Sequence, residues 1–263
     1  MRKALLLVTA GVAMALSGAR RGGAQTTEDY RFTPPLKRGD LLDLRNIDGS
    51  MTITQGGSSA AIVVHKVVRR GDGSLVKAIM EKTADGYRVC AIYLHRGESR
   101  DTCNGEDHDG GNDEPLDVDL NFDVQAPAGV RLAVHSVDGS VDARGVDAAT
   151  TIRTVDGNIT YRGVAPTSLN TVDGSIDATV TDATWDHDVA LRSVDGGIDV
   201  TLPPSINVTL TGETVDGDFN SDFPVTLAGK WGPRSMHATI GSGGSRELRM
   251  STIDGSIRLH RGS

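Results

Sequence analysis

Seven copies of one short motif constrain the fold of this chain more than any other feature. Each copy has a small polar residue, a β-branched aliphatic residue, Asp-Gly, one variable residue and an apolar residue. The copies occupy residues 46–51, 136–141, 154–159, 171–176, 193–198, 214–219 and 252–257. The aspartates from Asp138 to Asp216 are 18, 17, 22 and 21 residues apart, and the last gap, to Asp254, is 38 residues, close to two such steps. Self-similarity at a nearly constant period indicates a repeat architecture.

The alternation of side chains suggests how the chain runs through the motif. Asp-Gly between apolar runs is typical of a two-residue hairpin turn, but such a turn at Asp156-Gly157 would point Val155 and Ile159 to opposite faces. In one extended strand, Val155, Gly157 and Ile159 share a face and Asp156 lies on the other. The pattern therefore favours a strand that continues through the motif, with Val155 and Gly157 inward. A hairpin with a longer or bulged turn stays open.

A second apolar position lies three residues before the aliphatic residue of the motif. Because a gap of three breaks the alternation of a strand, a bend or bulge is expected between the two positions. A strand, a corner and a longer strand, repeated at about 20 residues, describe one coil of a β-solenoid. The predicted fold is all-β and β-solenoid, with an antiparallel hairpin-rich β-sandwich as the alternative. The motif glycines are expected to face the interior, where a side chain would not fit: Gly49, Gly139, Gly157, Gly174, Gly196, Gly217 and Gly255.

The N-terminus has the pattern of a secretory signal peptide. Arg2 and Lys3 precede an apolar stretch of 13 residues, too short to span a membrane as a helix, and Gly22 and Ala24 suit the −3 and −1 positions of a cleavage site. Removing residues 1–24 removes four positive charges and moves the net charge from −8 to −12. The sequence therefore predicts an exported protein, periplasmic, secreted or on the cell surface, with no membrane span and no nucleic-acid partner.

The remainder of the chain divides at about residue 130. Residues 25–130 are predicted to form an N-terminal β region and residues 131–263 the repeat solenoid, continuous with it. Cys90 and Cys103 are the only cysteines, and in an oxidising compartment they are expected to form a disulfide. A glycine-rich acidic stretch from Glu98 to Asp119 overlaps the second cysteine and is interpreted as a solvated loop rather than a metal site; its carboxylates are Glu98, Asp101, Glu106, Asp107, Asp109, Asp113, Glu114, Asp117 and Asp119.

The aspartates of the motif form the candidate metal site. In neighbouring coils they would stack about 4.8 Å apart, and calcium would convert their repulsion into coordination by hard oxygen ligands. The alternative is that each carboxylate bonds local backbone amides before a glycine. The candidate ligands are Asp138, Asp156, Asp173, Asp195 and Asp216, with a second row at Asp142, Asp177 and Asp199; no other cofactor is predicted.

Catalytic motifs are absent from the sequence. It contains no Gly-x-Ser-x-Gly, no His-Glu-x-x-His and no phosphate-cradling glycine loop. His187 lies between two aspartates, but neighbouring strand residues face opposite ways. Trp185 and Trp231 could stack on sugars, although isolated tryptophans more often close the end of a core. No catalytic residue is predicted.

From about Asp40 to the C-terminus the chain resembles the bacterial putative-adhesin family of β-strand-repeat proteins, the domain of unknown function 4097. The residues that carry the resemblance are an early strand unit from Leu44 to Ile53, the strand Val118 to Gly129 with its Ala-Pro-Ala-Gly exit, and the Val-Asp-Gly array. Relatives more often have Ser-Gly-Asp where this chain has Asp-Gly-Ser. The resemblance implies a β-helix-like fold and an envelope location, and it implies no reaction.

Together these features predict a non-catalytic exported binding protein, an adhesin or envelope module with a glycan or protein ligand. Two other classes stay open. Carbohydrate-cleaving β-helix enzymes also carry carboxylates on one face, although a catalytic site would be singular rather than copied in each coil. A self-assembling scaffold is the third class, because an uncapped coil end is an edge that can pair.

Overall fold

A computed structural model describes residues 26–103, 116–229, 233–243 and 246–263. Within these ranges the chain is β-structure with one short 3₁₀ turn at Gly73–Leu75. The predicted signal peptide and the acidic residues between 104 and 115 lie outside the described residues. Within the described ranges, no helix is long and apolar enough to cross a membrane.

The strands, numbered in chain order, form two large sheets. In the described residues, sheet A has ten strands in the spatial order β1 (Thr26–Phe32), β4 (Ala61–Arg70), β7 (Asp117–Ala126), β3 (Met51–Gln55), β9 (Val141–Val146), β11 (Ile159–Gly163), β13 (Ile176–Val180), β15 (Ile198–Leu202), β21 (Ile257–Arg261) and β17 (Phe219–Ser221). Sheet B has eleven, in the order β18 (Thr226–Ala228), β19 (Arg234–Ile240), β16 (Val208–Asp216), β20 (Glu247–Asp254), β14 (Val189–Arg192), β12 (Ser168–Asn170), β10 (Thr150–Arg153), β8 (Arg131–His135), β2 (Leu41–Arg45), β6 (Gly86–Tyr93) and β5 (Val76–Lys82).

Each motif copy joins a strand of sheet B to a strand of sheet A. Seven such coils stack with parallel pairing in both sheets, from β2–β3 through β8–β9, β10–β11, β12–β13, β14–β15 and β20–β21 to β16–β17. The all-β, β-solenoid prediction is confirmed. Antiparallel pairing occurs towards the ends of the stack, where β4 pairs with β1 and β7, β5 with β6, and β19 with β16 and β18.

The order of the coils in space departs from the order in sequence at the C-terminal end. The copy at Asp254 lies between those at Asp195 and Asp216, because β20 pairs with both β14 and β16. The long gap before Asp254 was interpreted as close to two repeat steps. The chain instead uses those residues for β18 and β19, and β19 runs back antiparallel to β16 before the last coil is inserted.

The core lies between the two sheets and consists of rows that run along the stack. In sheet B the predicted second apolar position forms one buried row, with Leu44, Val134, Ile152, Leu169, Leu191 and Met250 in register. In sheet A the last residue of the motif forms the facing row, with Met51, Val141, Ile159, Ile176, Ile198 and Ile257. Each coil thus buries its apolar edges on its neighbours, so the pattern depends on many copies.

Candidate binding surface along the corner of the repeat

The Asp-Gly motif forms the corner between the two sheets, and this corrects two predictions. In the copy at Asp156, the strand of sheet B ends at Arg153 and the strand of sheet A begins at Ile159. The predicted continuous strand is wrong, because between these two strands the chain passes from one sheet to the other, with an isolated parallel bridge at the aspartate. The hairpin is also wrong, because the flanking strands belong to different sheets.

Backbone hydrogen bonds between coils hold the corner. The Asp156 N–H donates to the Val137 carbonyl at 2.8 Å in the preceding coil, and the Gly157 N–H donates to the Asp173 carbonyl at 2.9 Å in the following one. The bend therefore leaves few backbone groups unpaired, although it lies outside regular strands.

The first residue of each motif is polar and yet buried, and sequence reasoning missed its role. In five copies its hydroxyl donates to the carbonyl of the motif glycine in the neighbouring coil, for example from Thr154 to Gly139 at 3.2 Å and from Thr171 to Gly157 at 2.9 Å. Ser193, Thr214 and Thr252 make the same bond, to Gly174, Gly255 and Gly196. In the first copy Asn46 Nδ2 donates to the carbonyls of Gly49 and Leu120 instead. The buried Ser136 hydroxyl has no hydrogen-bond partner among the described residues. In the other copies a small side chain with a polar donor fits this buried position and donates to the backbone of the neighbouring coil.

The motif positions require glycine because a side chain would clash with the backbone of the neighbouring coil, not because it would point into the core. A Cβ on Gly157 would lie 2.6 Å from the carbonyl carbon of Gly139, and one on Gly174 would lie 2.6 Å from that of Gly157. Real Cβ atoms do not approach a backbone so closely. The prediction that Gly174 faces the core is therefore wrong in direction, although the position does exclude a side chain.

The aliphatic residue of the motif faces solvent, contrary to the inward orientation predicted from the alternation. Six of the seven large hydrophobic residues that are exposed in the described part of the chain occupy this position. They are 36% to 48% exposed and succeed one another along the stack: Val137, Val155, Val172, Val194, Ile253 and Val215. At about 4.8 Å per coil the row is about 24 Å long. We call these six residues the corner ridge.

The motif aspartates form a second exposed row beside the corner ridge. Parallel bridges place Asp138, Asp156, Asp173, Asp195 and Asp254 side by side, and Asp216 pairs with Asp254. The predicted candidate ligands are thus in one row, each contributing one carboxylate per coil. In the part of the chain that the structure describes, no three His, Cys, Asp or Glu side chains are arranged to hold a metal. Calcium binding stays a prediction.

The second aspartate row lies on the outer face of sheet A and includes basic neighbours. Asp142 forms an ion pair with Arg144 at 2.6 Å, and Asp199 with Arg258 at 3.4 Å. Asp177 is in register with Asp199. This row is therefore partly neutralised, unlike the row at the corner.

A basic row follows the other side of the corner ridge, on the outer face of sheet B. It contains Arg45, His135, Arg153, Asn170 and Arg192 in register. Burial lowers the pKa of His135 below its ordinary value. Across the corner the surface thus changes from basic to aliphatic to acidic.

A groove of about 610 Å³ extends the corner ridge at the end of the stack. The ridge residues Val194, Ile253 and Val215 line it together with the charged side chains of Arg192, Glu213 and Arg234. Arg234 is the first residue of β19 and forms an ion pair with Asp218. We call this feature the end groove; it combines an apolar wall with charges of both signs.

The two cysteines lie away from the corner ridge. Cys90 on β6 and Cys103 form a disulfide with a Cα–Cα distance of 5.9 Å. With Ile92 and Leu94 they form a small hydrophobic cluster separate from the main core. The predicted pair is therefore present, and it attaches the base of the acidic stretch to sheet B.

The remaining candidate residues do not form a site with the corner. Trp185 is buried, with Arg246 at 5.9 Å from its ring, so it offers no platform for a sugar. Trp231 lies outside the described residues. His187 Nδ1 lies 3.2 Å from its neighbour Asp186 Oδ1, an exposed local contact.

Comparison with known families decides the classification. The model of the family described as Toastrack DUF4097 matches residues 117–260, more than half of the chain. The chain belongs to this family. The Toastrack match begins at β7 and contains six of the seven motif copies, whereas the copy at Asp48 precedes it and still stacks on Asp138 in register. A comparison with curated proteins gives no match.

A search of solved structures gives matches that cover most of the chain, among them the following two. One is a "putative cell adhesion protein" from Clostridium sporogenes, with 10% sequence identity, coverage of 91% of this chain and 100% of the other, and a TM-score of 0.49. The second is a "putative adhesin" from Bacteroides fragilis, with 8% identity, coverage of 92% and 100%, and a TM-score of 0.33. At such low identity neither similarity bears on a ligand of this Toastrack chain.

Proposed function

We propose that this chain is an exported, non-catalytic binding module of the bacterial cell envelope whose corner ridge holds a protein partner. The observation that carries the proposal is the corner ridge itself. Exposed aliphatic side chains are normal when scattered, whereas a contiguous apolar row rimmed by polar residues is typical of an interaction surface.

The chemistry of the ridge favours a protein over a glycan. The Trp, Tyr and Phe side chains of the described residues are all buried or half-buried, so within that part of the chain none forms an exposed aromatic platform on which a sugar ring could stack. The ridge instead offers Val and Ile, between a basic row that includes Arg153 and Arg192 and an acidic row that includes Asp156 and Asp173. A partner with an apolar stripe, acidic on one side and basic on the other, complements this order of charges. Charge complementarity of this kind supplies specificity and a faster association rate.

Export is supported by the sequence and by the cysteines. The signal-peptide pattern of residues 1–24 and the Cys90–Cys103 disulfide both suit an oxidising compartment outside the cytoplasm. Mass measurement of the protein recovered from the periplasm or medium tests this part. We expect a chain cleaved after Ala24 with no free thiol.

Site-specific photo-crosslinking in cells tests the binding surface. A photo-reactive residue at Val172, on the ridge, is compared with one at Thr179, which faces outward in the same coil on sheet A. We expect a discrete protein adduct from position 172 and none from position 179. The same adduct from both positions, or from neither, would contradict the assignment of the ridge.

A further inference from the structure

The last coil of the stack differs from the other six in one backbone hydrogen bond. In six copies the N–H of the motif glycine donates to the aspartate carbonyl of the next coil, with N–O distances between 2.8 and 3.1 Å. These bonds run from Gly49 to Asp138, Gly139 to Asp156, Gly157 to Asp173, Gly174 to Asp195, Gly196 to Asp254 and Gly255 to Asp216. Gly217 belongs to the terminal coil, and in the described residues its N–H has no acceptor.

The seven Asp-Gly pairs share other features, although Asp216 and Asp254 end strands β16 and β20 and the other motif aspartates lie outside regular strands. Every motif aspartate is followed by glycine, and all but Asp48 are exposed in one row. Asp216 presents its carboxyl group to solvent as Asp156 and Asp173 do. The free glycine amide and the missing next coil therefore distinguish Asp216-Gly217 from these copies.

We infer that Asp216-Gly217 is a site of spontaneous isoaspartate formation in the folded protein, and that the six other motif copies are protected. The Gly217 nitrogen attacks the carboxyl carbon of Asp216. A C–N bond forms, the C–OH bond breaks, and the amide hydrogen leaves with the hydroxyl group as water. Water then opens the five-membered imide at either carbonyl, which restores aspartate or leaves the backbone running through the side chain. The net change is an isomerisation that needs no oxidant, reductant or enzyme.

The hydrogen bond decides the rate because the same N–H must be given up in the reaction. In the six inner copies the nitrogen is bound to the next coil, and the peptide group is packed between two neighbours. After the terminal coil no further coil follows in the described residues, so the Gly217 nitrogen has neither that hydrogen bond nor a packed neighbour on its outer side. Since an amide hydrogen bond contributes about 1 kcal/mol net, its absence alone gives roughly a fivefold faster reaction, and loss of packing adds to this.

The modification would change one end of the corner ridge. Asp216 follows Val215, a ridge residue that lines the end groove. Isoaspartate adds one carbon to the backbone at this point and alters the position of Val215 relative to Ile253. The inference concerns the covalent structure and holds whether or not the ridge binds a partner.

Site-resolved peptide mapping tests this inference, with the seven motif copies as internal comparisons. The folded full-length exported protein is incubated in mildly acidic buffer below its unfolding temperature and digested, and isoaspartate is measured at each Asp-Gly by electron-transfer fragmentation. We expect isoaspartate at Asp216 to form at least about five times faster than at Asp156 or Asp173. Equal rates at these three positions would overturn the inference.

Two controls make the comparison specific. In denaturant the seven copies should isomerise at similar rates, because their sequences are alike, and a persistent excess at Asp216 there would assign the effect to local sequence and overturn the structural cause. Asp216→Glu should abolish the signal in the peptide that contains Gly217, because a six-membered ring forms far less readily. A signal that survives in this variant would mean that another residue is modified, which also contradicts the inference.

Discussion

Replacement of Gly174 by alanine tests the close contact between coils at the corner. The new Cβ would lie 2.6 Å from the carbonyl carbon of Gly157 and 3.1 Å from Thr171 Oγ1. Because non-bonded carbon atoms prefer about 3.5–4.0 Å, the two coils must separate locally by about 1 Å. This displacement stretches the bonds from Gly157 N to Asp173 O at 2.9 Å, from Asp173 N to Val155 O at 2.8 Å and from Thr171 Oγ1 to Gly157 O at 2.9 Å.

The expected cost follows from those bonds. Each contributes about 1 kcal/mol net, so weakening of all three costs about 2–3 kcal/mol. Alanine lowers the entropy of the unfolded chain, which offsets about 0.4–1 kcal/mol. The expected loss is about 2 kcal/mol, and for a protein of this size Tm should fall by about 4–8 °C.

Thermal and denaturant unfolding of the exported protein measure this loss, with Gly197→Ala as the matched control. A Cβ on Gly197 would lie 3.2 Å from the Ser256 carbonyl oxygen, and the equivalent position holds serine in the neighbouring coils at Ser175 and Ser256. The control should change stability by less than about 0.5 kcal/mol. If Gly174→Ala is no less stable than Gly197→Ala, the close contact between coils does not determine the glycine.

Four further outcomes are expected. Thr171→Val, which removes the bond to the Gly157 carbonyl, should cost about 1–2 kcal/mol in denaturant unfolding. A loss no larger than that of the outward-facing Thr179→Val would show that this hydroxyl bond between coils does not stabilise the fold. Replacing both Cys90 and Cys103 by serine should cost about 3 kcal/mol, and unchanged unfolding would show that the disulfide does not stabilise the fold. Because burial lowers the pKa of His135, the unfolded chain binds this proton more tightly, so stability should fall as pH decreases below about 6.5; His135→Gln should remove that part of the pH dependence, and an identical pH profile would refute it. If the aspartate row binds calcium, calcium at a hundred times its dissociation constant should stabilise by about 2.7 kcal/mol, and identical melting in chelator and in millimolar calcium would reject the site.

Much of the architecture could be predicted because the spacing and the apolar positions of the repeat determine how the coils stack. The period of about 20 residues and the apolar positions at Ile152 and Ile159 predict stacked coils with an apolar interior, as observed. The C-terminal insertion could not be predicted, because the motif at Asp254 has the same sequence pattern wherever it stacks. Its place depends on β19, whose antiparallel return along β16 has no signal in the motif.

The predicted inward orientation of Val155 is wrong because strand alternation does not continue across the corner between Arg153 and Ile159. Counted forward from Ile152, strand parity places Thr154 inward and Val155 outward, as in the structure. The first motif residue is small and polar in every copy, which could have indicated a buried hydroxyl that bonds to backbone. Counted backward from Ile159, the alternation crosses the corner, where strand parity does not hold.

This error also concealed the candidate surface. With Val155 placed in the core, the sequence predicts only the aspartates as an exposed row, and such a row suggests metal binding. The corner ridge depends on the tight bend at Asp156-Gly157, where the backbone of Gly157 lies close to that of Gly139 in the neighbouring coil. Such contacts between backbones of different coils are not visible in a single motif.

The affinity of a crosslinked partner for ridge variants tests the central claim most directly. Val155, Val172 and Val194 are replaced together by serine and compared with Thr160, Thr179 and Thr201 replaced together by serine on the sheet A face of the same three coils. Both triple variants should melt close to the parent, because all six side chains lie outside the core. We expect the ridge variant to bind at least about tenfold more weakly, since interface residues that matter contribute more than 1 kcal/mol each, and the threonine variant to bind like the parent. Unchanged affinity in the ridge variant, or an equal loss in both, would contradict the corner ridge as the binding surface.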